Sequence, residues 1–94
     1  FVCNCDEAAY ILLNQLKNEG YSVPDDISVV GYDNHIYSTI ANPRITTIDV
    51  DSKRMSAEAV ETIIKKIRDR NYSRGRTLVT GKIIYRDSVK AIKK

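Results

Sequence analysis

The chain has 94 residues, 43% of them hydrophobic, which allows at most one small domain with a modest core. No apolar run reaches the roughly 20 residues of a membrane-spanning helix, and no signal-peptide pattern opens the chain. The net charge of +3 selects no partner, but residues 1–51 carry eight acidic against two basic side chains, and residues 52–94 thirteen basic against four acidic.

Phe1 to Cys5 reads as a short strand, and a chain that opens inside a strand is expected to be the C-terminal piece of something longer. Asp6 is placed to cap the next helix, with Glu7 in its first turn. Ala9, Leu12, Leu13 and Leu16 fall at i, i+3, i+4 and i+7, one face of that helix. Asn18, Glu19 and Gly20 end it, Gly20 being suited to a left-handed residue after the cap. Tyr21 to Asp26 forms the return loop, in which Pro24 prevents a helix from continuing.

Ile27 to Tyr32 is the next strand. Its Ile-Ser-Val-Val run lacks clean polar alternation, which suits a strand covered on both faces, as in a parallel sheet. Gly31 ends the apolar run without a side chain. Asp33 then emerges where a strand of an open α/β sheet meets its ligand crevice. Asp-Asn after a strand is also ordinary turn chemistry, and at this point both readings stand.

Asn34 to Arg44 reads as a loop with three apolar residues, Ile36, Tyr37 and Ile40, which either plug the edge of the core or form a subunit contact. Asn42-Pro43 marks a turn. Ile45 to Val50 has strand composition. Asp51 or Ser52 caps a second helix, with an apolar face of Val60, Ile63, Ile64 and Ile67 and a Glu61–Lys65 pair in the favoured order. Asn71 to Gly75 closes it. Thr77 to Tyr85 reads as a last strand, with Gly81 as a bulge or bend. Val89 to Lys94 is a polar tail expected to fray.

Chemistry-bearing residues are few. Cys3 and Cys5, at i and i+2 on a strand, share a face and lack metal-site spacing, so structural thiols are expected. His35 has no Ser or Cys in a credible triad order, and no Gly-rich phosphate loop occurs. Asp25-Asp26 and Asp49-x-Asp51 are explained by turn and cap roles. The expectation is a protein that is not an enzyme, with no cofactor and no metal. The basic residues of the second half are spread over a helix, a loop and a tail without a nucleic-acid-binding motif, and read as a solvated face.

The element order is β-α-β-β-α-β. Taken as a complete domain, that is the ferredoxin-like order of small regulatory and RNA-binding modules. Taken as a fragment, it fits the end of a larger doubly wound, parallel-sheet α/β protein. The poorly alternating second strand, the eleven-residue linker after it and the opening inside a strand favour the fragment.

Three runs carry a resemblance: Cys3-Asn4-Cys5-Asp6-Glu7-Ala8-Ala9, Gly20 through Val23-Pro24-Asp25-Asp26-Ile27-Ser28-Val29-Val30-Gly31-Tyr32-Asp33-Asn34, and Pro43-Arg44-Ile45-Thr46-Thr47-Ile48. In that order and spacing they resemble the lactose-repressor/galactose-repressor family of bacterial transcription regulators. The chain looks like the C-terminal part of their periplasmic-binding-protein-like effector domain. Ile84-Tyr85-Arg86-Asp87-Ser88 resembles the family's final strand and its Arg-x-Ser ending.

The resemblance implies a division into residues 1–48 of the C-terminal lobe, 49–82 crossing to and packing on the first lobe, and 83–94 returning as strand and tail. It implies a cytoplasmic homodimer that senses a small-molecule effector, a carbohydrate or related compound. Operator DNA would be bound only through a head domain that is not in this chain, and no membrane is involved. Asp33 matches the carboxylate that hydrogen-bonds effector hydroxyls. Cys5 matches a ligand-facing position where many members carry Asn; a thiol cannot supply the amide's acceptor and donors, which implies a different effector or a weakly bound one. Asp49 and Val50 would lie near the hinge and cleft. Tyr10, Ile36, Tyr37 and Ile40 match surfaces that pair in family dimers.

Overall fold

The structure, a computed structural model, describes residues 1–73 and 75–92. Its regular elements are α1 (Asp6–Asn18), α2 (Ile36–Ile40), β1 (Thr47–Asp49), α3 (Ser52–Arg68) and β2 (Lys82–Ile84). The chain separates into two compact units, Phe1–Asp49 with the closing segment from Lys82, and Val50–Gly81.

In the first unit, residues 1–3, 29–33 and 46–48 lie side by side and run parallel. Val30 N–H donates to Phe1 O (2.9 Å), and Cys3 N–H to Val30 O (2.8 Å). On the other side Gly31 N–H donates to Thr46 O (2.9 Å), and Asp33 N–H to Ile48 O (3.0 Å). The corresponding bridges, Val2 to Val30 and Val30 to Thr46, are both parallel. β1 then pairs antiparallel with β2, Thr47 opposite Ile84. A ferredoxin-like domain joins its second and third strands by an antiparallel hairpin. The parallel Val30–Thr46 bridge rules that alternative out.

The expected strands at 1–5 and 27–32 contribute single bridges rather than full ladders. Their backbone groups find other partners: Asp6 N–H, already at the start of α1, donates to Tyr32 O (3.0 Å), and Val29 N–H to Ser88 O (2.9 Å). The expected last strand, 77–85, contracts to β2. Strand propensity alone does not make a strand where no neighbour supplies backbone partners, and Thr77 to Gly81 lie in the other unit.

α1 follows the expected face, with Ala9 and Leu13 fully buried and Leu12 and Leu16 packed against the core. Val23, Val29, Ala41 and Ile45 complete that core. The helix ends as expected. Gly20 is left-handed (φ 89°), Tyr21 N–H donates to Leu16 O (2.9 Å), and Gly20 N–H to Lys17 O (3.0 Å). Its start differs from the expectation: the cap position is Cys5, and Asp6 is the first helical residue. The stretch 34–44 is not simply a loop, since it contains α2, held by the buried Ser38, whose Oγ donates to His35 O (2.6 Å).

The tail is tied down as far as Lys90, whose N–H donates to Ser28 Oγ (3.1 Å) and whose Nζ pairs with Asp25 (3.1 Å). Lys93 and Lys94, in the expected frayed end, and Arg74, in the expected helix closure, lie outside the described residues.

The second unit is built on α3. Asp51 caps it, accepting from Arg54 N–H (3.0 Å). No residue of α3 is buried. Its apolar stripe of Met55, Val60, Ile63, Ile64 and Ile67 is exposed, Ile67 at 77%.

Candidate functional site

The carboxyl ends of the three parallel segments converge. Cys5 closes the first, Asp33 follows the second, and Asp49 ends β1. In open α/β sheets ligands sit beyond these ends. Asp33 and Asn34 both take positive φ (98° and 55°), which turns the chain sharply at the sheet edge. Asn34 tolerates this conformation, whereas Asp33 lies beyond the usual left-handed well.

Beneath the turn sits Asp6, fully buried. One carboxylate oxygen, Oδ2, accepts from His35 N–H (2.5 Å), and Oδ1 accepts from the Thr47 hydroxyl (2.6 Å). Thr47 Oγ1 in turn accepts from Asn34 N–H (3.2 Å). Asp6 is thus a bracket joining the start of α1, the turn and β1, rather than the helix cap its sequence position suggests. Gly31 makes room for it, because a Cβ at residue 31 would collide with Asp6 Oδ1.

Arg86 braces the turn from the other side. Its Nη2 donates to Asn34 Oδ1 (2.8 Å), and its Nη1 to Ser38 Oγ (2.8 Å) and Ile45 O (3.0 Å). Asn34 Nδ2 reaches Asp49 Oδ1 at 3.4 Å. Ser88, fully buried, accepts from Thr46 N–H (2.9 Å) and donates to Val29 O (2.5 Å). The Arg-x-Ser ending therefore locks the closing segment onto the ladder.

Above the bracket lies a cavity of about 110 Å3 lined by Cys5, Asp6, Glu7, Asp33 and His35. Ligand pockets usually measure about 300–1,000 Å3, so this cavity is smaller than one. Its lining offers the exposed carboxylates of Asp33 and Glu7, a half-buried thiol and an imidazole. Both cysteines are free, and burial pushes the Cys3 thiol up, which keeps it protonated and inert near neutrality. Among the described residues no three His, Cys, Asp or Glu side chains are grouped to hold a metal. No helix of the described residues is long and apolar enough to cross a membrane.

Of the residues singled out from sequence, Cys5 and Asp33 meet in this cavity. Asp49 joins through Asn34. Val50, half-buried, opens the second unit. Tyr10, Ile36, Tyr37 and Ile40 lie on α1 and α2, which pack together. The Tyr10 and Tyr37 rings are 5.3 Å apart, and His35 stacks on Tyr37 at 5.1 Å. Ile36 and Ile40 are 64% and 57% exposed. Sequence reasoning missed the bracket and the brace. A signal for Asp6 was its i+25 partner Gly31, but nothing local links the two.

Residues 1–89 match the model of the periplasmic binding protein-like domain. The chain is 38% identical over 93 residues to the arabinose metabolism transcriptional repressor of Geobacillus stearothermophilus, covering 98% of this chain and 26% of that protein. It superposes on a LacI-type transcription regulator from Bifidobacterium animalis subsp. lactis with a TM-score of 0.83 at 33% identity, covering 96% of this chain and 32% of that one. The lac repressor dimer bound to operator and the anti-inducer ONPF gives a TM-score of 0.83 at 26% identity, covering 96% and 31%. The chain spans about a quarter of the length of the curated relatives it matches. It belongs to the periplasmic binding protein-like domain family, in the branch of the lactose-repressor/galactose-repressor regulators.

Proposed function

We propose that this chain is the effector-sensing and dimerisation part of a cytoplasmic, non-enzymatic bacterial transcription regulator. Its effector is a carbohydrate or related small molecule. The observation that carries the reading is the convergence of Asp33 and Cys5 on one cavity, at the carboxyl ends of parallel strands, in a chain of this family. An ionised Asp33 accepts two hydrogen bonds in a fixed plane, which suits adjacent hydroxyls. Asp49 and Val50 stand beside the cleft, where the chain leaves the C-terminal lobe.

Residues 49–82 pack on the first lobe, which supplies the other wall of the cleft, and residues 83–94 return. The bare apolar stripe of α3 supports this division. Tyr10, Ile36, Tyr37 and Ile40 pair with a second copy, supported by their shared surface and by the dimer named for the related lac repressor. DNA is bound by a head domain elsewhere in the parent. Effector binding shifts the balance between two lobe arrangements, and so the spacing of the heads, by binding one arrangement better.

The test is fluorescence anisotropy of the full-length parent on its operator during titration with pentoses, hexoses and disaccharides. Asp33→Ala is expected to keep operator affinity and lose the sugar response. A normal response from that variant would remove Asp33 from the site.

A further inference from the structure

We infer that Arg86 is a positioning residue for Asp33: its guanidinium holds Asn34, and through Asn34 the backbone turn that aims the Asp33 carboxylate into the cavity. The inference rests on the reading of Asp33 as an effector contact and adds a residue that touches no effector itself.

The turn needs a device of this kind. Asp33, a residue with a side chain, sits at φ 98°, and such conformations persist only where the surroundings over-determine them. Two bonds from backbone N–H groups hold it from one side, Asp33 N–H to Ile48 O and Asn34 N–H to Thr47 Oγ1. The Asn34 side chain is held from the other, between Arg86 and Asp49.

Arg86 is anchored well enough to serve. Its backbone N–H donates to Thr46 Oγ1 (2.9 Å), and its Nη1 bonds reach Ser38 and Ile45. Thr46, Ser38 and Ile45 are all buried. The guanidinium is planar, so the two Nη1 bonds fix where Nη2 points, and that is at Asn34 Oδ1. These acceptors are neutral oxygens on three separate stretches of chain, at 34, 38 and 45. The fork, more than the charge, is therefore what the position uses. A lysine ammonium keeps the charge but cannot reproduce the planar fork.

The test uses the full-length parent with Arg86→Lys, Asn34→Ala, Asp33→Ala and the Arg86→Lys/Asp33→Ala double variant. Hydrogen–deuterium exchange without ligand reads the turn. Arg86→Lys is expected to speed exchange at Asp33 and Asn34 while α1 and α3 keep wild-type protection. Unchanged exchange at 33–34 would overturn the inference.

Calorimetric titration with L-arabinose, D-galactose, D-glucose and sucrose reads the consequence. For whichever sugar binds the wild type, Arg86→Lys is expected to weaken affinity by about tenfold to a hundredfold, the scale of one lost charge-assisted hydrogen bond. Asn34→Ala should reproduce the loss. The double variant should bind no worse than Asp33→Ala alone, because both changes act through one carboxylate. Wild-type affinity in Arg86→Lys, or multiplying losses in the double variant, would overturn the positioning role. Loosened exchange at 33–34 together with full affinity in Asp33→Ala would instead sink the effector reading and leave the Arg86 brace standing.

Discussion

Gly31 and Asp6 occupy one another's space, and each explains the other. A methyl group at 31 has nowhere to go, because the carboxylate it meets is buried and bonded on both oxygens. Gly31→Ala is expected to destabilise the protein by about 1–3 kcal/mol, the usual range for overpacking a filled core. A chemical-denaturation series on the parent measures it. Asp6→Asn keeps an acceptor for the Thr47 hydroxyl but turns an amide donor toward His35 N–H. The expected loss is again about 1–3 kcal/mol, the cost of an unsatisfied buried donor. Wild-type stability in that variant would mean that the bracket does not hold the turn. Neither relation could be read locally. Asp6 looks like a helix cap among its neighbours, and its true partners lie 29 and 41 residues away. Asp33 was singled out through the resemblance; from its neighbours alone a turn role served as well. The bond between Arg86 and Asn34 was not foreseen, although the resemblance runs over both: a charged residue near a chain end and an Asn in a turn have ordinary explanations.

The helices follow side-chain periodicity closely, and the strands do so only in part. α1 and α3 were visible because their apolar faces, and for α3 its cap, are encoded within one stretch of sequence. Strands need partners from elsewhere in the chain, which is why the 77–85 expectation shrank to three residues. α2 escaped notice because five residues hold too little periodicity, and its buried serine is explained only by Arg86 and His35. Asp51→Ala should cost about 1 kcal/mol by removing the α3 cap, read as a lowered melting temperature of the parent. The bare stripe of α3 gives a sharper test of the lobe assignment. If the first lobe covers it, Ile67→Lys should destabilise the parent by about 2 kcal/mol or more, the worth of a buried isoleucine. An unchanged melting temperature would place that face in solvent.

For the whole molecule, the parallel pairing of the first two segments was legible, because strand, helix and strand in succession read as a βαβ unit. The choice between the ferredoxin-like order and a doubly wound sheet turned on whether residues 30 and 46 pair parallel, and they do. Ile36 and Ile40 are half or more exposed beside an aromatic pair, a surface suited to an apolar contact. Ile36→Asp in the parent is expected to shift sedimentation from dimer to monomer, and an intact dimer would move the interface elsewhere. The reading as a whole rests on Asp33 touching the effector. A crystal structure of the full-length parent with the sugar that its operator-binding assay identifies tests this most directly. The prediction is an Asp33 carboxylate oxygen within about 3 Å of a sugar hydroxyl. A sugar bound elsewhere, with Asp33 left facing solvent, would contradict it.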